Sequence, residues 1–115
     1  MPTSPPSNEP LTPAVFHVLA SLAEGPLHGY GILKRVKEDS GLAMGPGTVY
    51  GSIHRLEEVG WVTTTDVDHP DPRRGKAFVL TPEGRRALEQ EASRLARLAR
   101  LVEERGWVPD PTSGS

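Results

Sequence analysis

The residues with the greatest capacity for chemistry fall in one continuous run, Gly47-Thr48-Val49-Tyr50-Gly51-Ser52-Ile53-His54-Arg55. Thr48, Tyr50 and Ser52 carry hydroxyls that can hydrogen-bond phosphate oxygens. His54 and Arg55 have the donors and the reach for base edges. Gly47 and Gly51 allow a backbone to come close to a phosphate. A helix opening at Pro46-Gly47-Thr48 adds free N–H groups and a partial positive charge at its start. This chemistry suits holding a polyanion rather than making or breaking bonds. A second cluster, Arg73-Arg74-Gly75-Lys76, places three cations within four residues. On an exposed turn Arg73, Arg74 and Lys76 can grip a minor groove or flanking phosphates. Asp66, Asp68 and Asp71 lie nearby and must point away from such a partner.

Catalytic and metal-binding combinations are sparse. The chain has no cysteine, which excludes disulfides, zinc–thiolate sites and thiol catalysis. Gly45, Gly47 and Gly51 give G-x-G-x-x-x-G, one residue away from a dinucleotide fingerprint and without a strand before it. His54 and Glu58 stand four apart on a helix, but two ligands do not close a metal site, and an ion pair explains them. Asp66, Asp68, His69 and Asp71 fit a polar hairpin tip. His17 lies in an apolar helix and suits packing. No enzyme, metal or cofactor is expected.

The elements around these residues follow from caps and periodicity. Thr12 is an N-cap and Pro13 a first helical residue, and Val15, Val18, Leu19 and Leu22 recur at helical spacing until Gly25-Pro26. A second helix runs from His28 or Gly29 to Ser40, its faces set by Tyr30, Leu33 and Val36 or Lys37, with Gly41 as its stop. The third runs from Pro46 to Gly60, with Val49, Ile53 and Leu56 inward and Gly47, Gly51, His54, Arg55 and Glu58 outward. Trp61 to Val67 has strand character, 68–75 is a loop, and Lys76 to Leu80 is a second strand, which makes a hairpin. Thr81-Pro82-Glu83 opens a last, long helix to about Arg105. In it Leu88, Ala92, Leu95, Ala99 and Val102 form a heptad seam that Leu98 and Leu101 widen. A stripe so apolar needs a partner. Part is expected to pack inward and part to make a two-fold dimer, whose interface is expected at Val15 and Leu19 of the first helix and at Leu88, Ala92, Leu95, Leu98, Ala99 and Val102 of the last.

The chain has 115 residues, one ordinary domain. Residues 1–10 and 108–115 are expected to be disordered ends, 11–80 the main domain and 81–107 the dimerisation helix. The ten N-terminal residues lack the basic start and apolar stretch of a signal peptide, no apolar run suits a membrane span, and a cytoplasmic location is expected. The net charge of −2 does not point to nucleic acid, so the case rests on where the charges sit. That balance also suits an alternative, a dimeric winged helix whose exposed helix meets a protein.

Helix, helix, short turn, helix, hairpin, long helix is the order of a winged helix-turn-helix, in which the third helix leads into the major groove. The chain resembles the PadR family of transcriptional regulators in its short form with one C-terminal helix. The resemblance rests on Leu11-Thr12-Pro13, Gly25-Pro26-Leu27-His28-Gly29-Tyr30 and Gly45-Pro46-Gly47-Thr48-Val49-Tyr50. It rests also on Leu56-Glu57-Glu58-Val59-Gly60-Trp61-Val62 and Leu80-Thr81-Pro82-Glu83-Gly84-Arg85. It implies a homodimer on a pseudo-palindromic operator of double-stranded DNA, usually a repressor, with a wing at 68–75. It also implies a dimer built from the first and last helices, with a small hydrophobic or aromatic inducer often bound near that interface. Two departures stand out. The second wing strand has Phe78 where the family has adjacent aromatics. The last helix has no aromatic before Trp107, so the tryptophan stacking of flat drugs seen in some members is not expected. The expected fold is mainly α with a small β-hairpin: a winged helix-turn-helix plus a long C-terminal dimerisation helix.

Overall fold

In a computed structural model, the chain is described over residues 10–41, 44–65 and 76–107. The expectations for 1–9, for Asp66 and Val67 at the end of the first strand, for the hairpin loop 68–75 and for 108–115 lie outside those residues.

Two Thr-Pro pairs start the two helices on which the others rest. Thr12 caps α1 (Pro13–Ser21) by accepting the Val15 N–H at 3.2 Å. Val18, Leu19 and Leu22 fill the interior from this helix, which packs against α2 (Gly29–Ser40), α3 (Pro46–Glu58) and α4 (Pro82–Glu104). Helix α1 stops at Ser21, short of Gly25-Pro26, because tight turns take over: Leu22 N–H donates to the Leu19 carbonyl and Ala23 N–H to that of Ala20. Ile32, Leu33 and Val36 from α2 and Val49, Ile53 and Leu56 from α3 complete the core. Burying each such side chain contributes roughly 1.5–3 kcal/mol. Tyr30, expected to help define a face of α2, points out to solvent.

Strands β1 (Val62–Thr65) and β2 (Ala77–Leu80) pair antiparallel, Val62 opposite Leu80 and Thr65 opposite Ala77. Trp61 precedes β1 and Lys76 precedes β2, so both strands start one residue later than expected. One pairing was not foreseen. Leu27 and Phe78 exchange both backbone hydrogen bonds, at 3.1 and 2.8 Å. The segment just before α2 therefore acts as a third edge of the hairpin and ties the start of α2 to the wing.

Helix α4 begins against the junction of α3 and β1. Thr81 accepts the Gly84 N–H at 3.0 Å, donates its hydroxyl to the Gly60 carbonyl at 2.6 Å, and donates its N–H to the Trp61 carbonyl at 3.0 Å. A Cβ on Gly84 would overlap the Trp61 carbonyl oxygen and come within 2.8 Å of its carbon. Further along, Glu91 is buried and joins α4 to the start of α1. It accepts the Leu11 N–H at 3.2 Å and takes two bonds from Arg94, at 2.9 and 2.7 Å. The Arg94 bonds, helped by the Leu11 N–H, hold the Glu91 carboxyl below the usual carboxylate range against the upward push of burial.

Two predictions follow from these contacts. Gly84→Ala forces α4 off Trp61 and should cost about 1–3 kcal/mol in urea unfolding; an unchanged midpoint would show that the close approach is not required. A carboxyl lowered in the folded state stabilises above its unfolded value, and that contribution fades as pH falls through the lowered native value. The stability gap between the natural chain and Glu91→Gln should therefore be widest near neutral pH and close in acid. A gap that stays constant down to pH about 2, below the usual carboxylate range, would remove Glu91 from the account.

Candidate nucleic-acid interface

The outward side of α3 brings most of the expected residues into one surface. Gly47, Thr48, Gly51, His54, Arg55 and Glu58 are exposed, and Tyr50 is 42% exposed at one edge. Residues 47, 51, 54 and 58 run down the middle of this face, with Thr48 and Arg55 along one flank and Tyr50 along the other. Around Gly47 and Gly51 a Cβ would meet nothing within 4 Å. Glycine in a helix costs up to ~1 kcal/mol relative to alanine. Among the described residues no neighbour requires glycine at these two positions. The bare backbone there is open to something outside the chain.

Ser52 departs from its expected role. It is fully buried, and its hydroxyl donates to the Thr48 carbonyl at 2.9 Å. A serine with its neighbours on the inward side satisfies itself by bonding back one turn, so it has no hydroxyl to offer a phosphate.

The ends of the helices differ in a way that matters electrostatically. Thr12 and Thr81 cap α1 and α4 with side-chain oxygens, whereas the N-caps of α2 and α3, His28 and Gly45, make no side-chain cap bond. The first turns of α2 and α3 therefore keep N–H groups and the positive end of the helix dipole available to an anion. Sequence reasoning did not single out the exposed side of α2, where Tyr30, Lys34 and Lys37 lie four and three residues apart. That spacing was the available signal. Of the wing cations, Lys76 is exposed beside β2, and Arg73 and Arg74 lie outside the described residues.

The second surface is on α4. Gly84, Leu88 and Glu91 face the protomer's own interior, and the same side of the helix continues through Leu95, Leu98 and Val102. There it loses its cover: Leu95, Leu98, Leu101, Val102 and Trp107 are between 38% and 53% exposed. Ala92 and Ala99, expected in the seam, are exposed along its flank. Val15 and Leu88 are half-buried against their own core. Leu19 is fully buried between helices of its own protomer, so it cannot meet a partner. Its position on α1 places it one turn deeper than Val15, on the side that the other helices cover.

Among the described residues no group of three or more His, Cys, Asp or Glu could hold a metal ion, and no helix is long and apolar enough to cross a membrane. The sequence profile of the family described as "Transcriptional regulator PadR-like family" matches residues 18–90. This chain belongs to the PadR-like family. The family is one of transcriptional regulators and not of enzymes.

Individual relatives agree with that placement. The PadR-like chain is 33% identical over 87 residues to the transcriptional regulator Rv3488 of Mycobacterium tuberculosis, covering 76% of this chain and 79% of that one. It is 44% identical over 96 residues to an uncharacterized 37.1 kDa protein in transposon TN4556 of Streptomyces fradiae. That match takes in 84% of this chain but only 26% of the length of the transposon protein. The crystal structure of a PadR family transcription regulator from hypervirulent Clostridium difficile R20291 superimposes with a TM-score of 0.68 at 21% identity, covering 81% of this chain and 97% of the other. The shared fold is a winged helix-turn-helix with a long C-terminal helix.

Proposed function

We propose that this PadR-like regulator is a homodimeric repressor that binds a pseudo-palindromic operator and is released by a small hydrophobic or aromatic inducer. The observation that carries the DNA-binding reading is the outward face of α3. Two glycines there have no packing reason inside the protomer, beside an open helix start and the side chains of Thr48, Tyr50, His54 and Arg55. In this reading the bare backbone at Gly47 and Gly51 lets the N-terminal half of α3 descend into the major groove. Thr48 and Tyr50 bind phosphates and set the register. His54 and Arg55 read base edges, and Lys76 with Arg73 and Arg74 holds flanking phosphates. The uncovered α4 stripe supports the dimer, since an apolar surface of this length is costly to leave in water.

An apolar cavity of about 200 Å³ supports the inducer. It lies between Leu11 and Val15 at the start of α1, Leu56 and Val59 at the end of α3, and Trp61. Occupation there would bear directly on the last turn of the recognition helix.

The acidic balance of the chain, −2 overall, favours a second reading, a protein-interaction module with the same fold. Retardation of a fragment carrying its own promoter, at two salt concentrations, separates the two. As a DNA binder the chain should weaken by about one log unit per log unit of salt for each phosphate contact. Arg55→Ala should weaken binding by about 1–3 kcal/mol while leaving the melting temperature nearly unchanged, because the side chain faces outward. No retardation at low salt, or equal binding by the variant, would contradict the assignment.

A further inference from the structure

Gly29 is the first residue of α2, in a helical backbone that does not itself demand glycine. It differs from Gly47 and Gly51 in having a close neighbour. A Cβ on Gly29 would lie 2.9 Å from Cε1 of Tyr50, with Cδ1 at 3.7 Å and Cζ at 3.8 Å. The Cε1 edge of the Tyr50 ring therefore stands where a side chain at position 29 would begin, so a ring from α3 meets the first turn of α2. The three nearest atoms all belong to Tyr50, the residue at the edge of the outward face.

We propose that Gly29 is a positioning residue for nucleic-acid binding: its missing side chain forms a seat that holds the Tyr50 ring and fixes where the Tyr50 hydroxyl is presented to a phosphate oxygen of duplex DNA. The inference rests on the DNA-binding reading above. An exposed tyrosine on a helix exchanges rotamers freely, and binding must then fix it at the expense of side-chain entropy. The seat fixes the ring before DNA arrives. Contact is through the ring edge at Cε1, beside the carbon that bears the hydroxyl, and it leaves Tyr50 42% exposed. The seat also links the two helices of the helix-turn-helix through a single ring. The start of α2 is itself held to the wing by the Leu27–Phe78 hydrogen bonds, so the ring, the wing and α3 share one frame.

A methyl at position 29 must push the ring away, and the far edge of a tyrosine side chain can yield without unfolding the domain. Gly29→Ala should thus weaken binding to the promoter fragment by about three- to tenfold, the expected effect of releasing one side chain that must be ordered again on binding. Its melting temperature should stay at or above that of the natural chain, since alanine favours a helix. The 19F line of Tyr50 in 3-fluorotyrosine-labelled protein, assigned by its loss in Tyr50→Phe, should move. Tyr50→Ala should weaken binding, and adding Gly29→Ala to it should change nothing more. Tyr50→Phe, which keeps the ring and loses the hydroxyl, should bind nearly as weakly as Tyr50→Ala.

Equal weakening by Gly29→Ala with and without Tyr50, or full affinity in Gly29→Ala, overturns the proposal. Full affinity in Tyr50→Phe overturns it as well. If the natural chain shows no salt-sensitive DNA binding at all, the failure belongs to the DNA-binding reading. The 19F line then still judges the seat, and an unmoved line in Gly29→Ala rejects it.

Discussion

The contact between the first turn of α4 and the main chain of Trp61 sets the direction in which the last helix leaves the winged core. Three backbone-level features make that contact. Thr81 ties the start of α4 to Gly60 and Trp61, its hydroxyl caps the helix, and Gly84 removes the Cβ that would otherwise stand between helix and strand. They combine one short, β-branched side chain with two main-chain contacts, which fixes the start of α4 against Gly60 and Trp61. Glu91 adds a second fastening two turns later by reaching the Leu11 N–H and Arg94. Beyond Glu91 no described residue of the helix is buried, and the apolar Leu95, Leu98, Leu101 and Val102 are exposed. The orientation of that side relative to α3 is thus decided where α4 begins.

Glycine carries a different meaning at each place where it matters. At Gly84 the reason is internal and belongs to the backbone. At Gly29 it is internal and belongs to one ring. At Gly47 and Gly51 no described residue comes near enough to require glycine, although each weakens the helix that contains it. A protein that gives up helix stability on an exposed face has a use for the missing side chains outside the chain. Close approach of a helix backbone to a polyanion is a use that fits the neighbouring hydroxyls, the open N–H groups and the family. The same logic explains why the scaffold helices α1 and α4 are capped by threonine, while the two helices of the helix-turn-helix are left without side-chain caps.

Much of this was legible from residue order. The helices and the hairpin follow from Thr-Pro starts, 3.6-residue periodicity and the β-branched run after Trp61, and their limits moved by only a few residues. The outward face of α3 was legible as well, except at Ser52, which lies near the boundary of the helical wheel, where a polar type gives no guide to burial once the hydroxyl can bond back to Thr48. Leu19 was placed at an interface because apolar spacing cannot tell a protomer's own core from a partner's surface. The Leu27–Phe78 bridge has no periodicity to reveal it, being one residue long on one side. Glu91 was invisible for another reason: its backbone partner Leu11 is 80 residues away, and a glutamate among arginines reads as solvated surface. On α4 the expected seam shares Leu88, Leu95 and Val102 with the observed face, and the buried position between them is Glu91 rather than its apolar neighbour Ala92.

If the α4 stripe joins two copies about a two-fold axis, the fixed departure angle must place their α3 faces one duplex turn apart. Distance measurement between two nitroxide labels tests this directly, because the chain has no cysteine and a single substitution at the exposed Glu57 of α3, Glu57→Cys, labels each copy once without replacing a residue assigned to DNA contact. In the complex with promoter DNA, pulsed dipolar spectroscopy should give one distance distribution centred at about 34–36 Å, broadened by the label linkers. Absence of dipolar coupling, or a centre far from one duplex turn, would contradict the account.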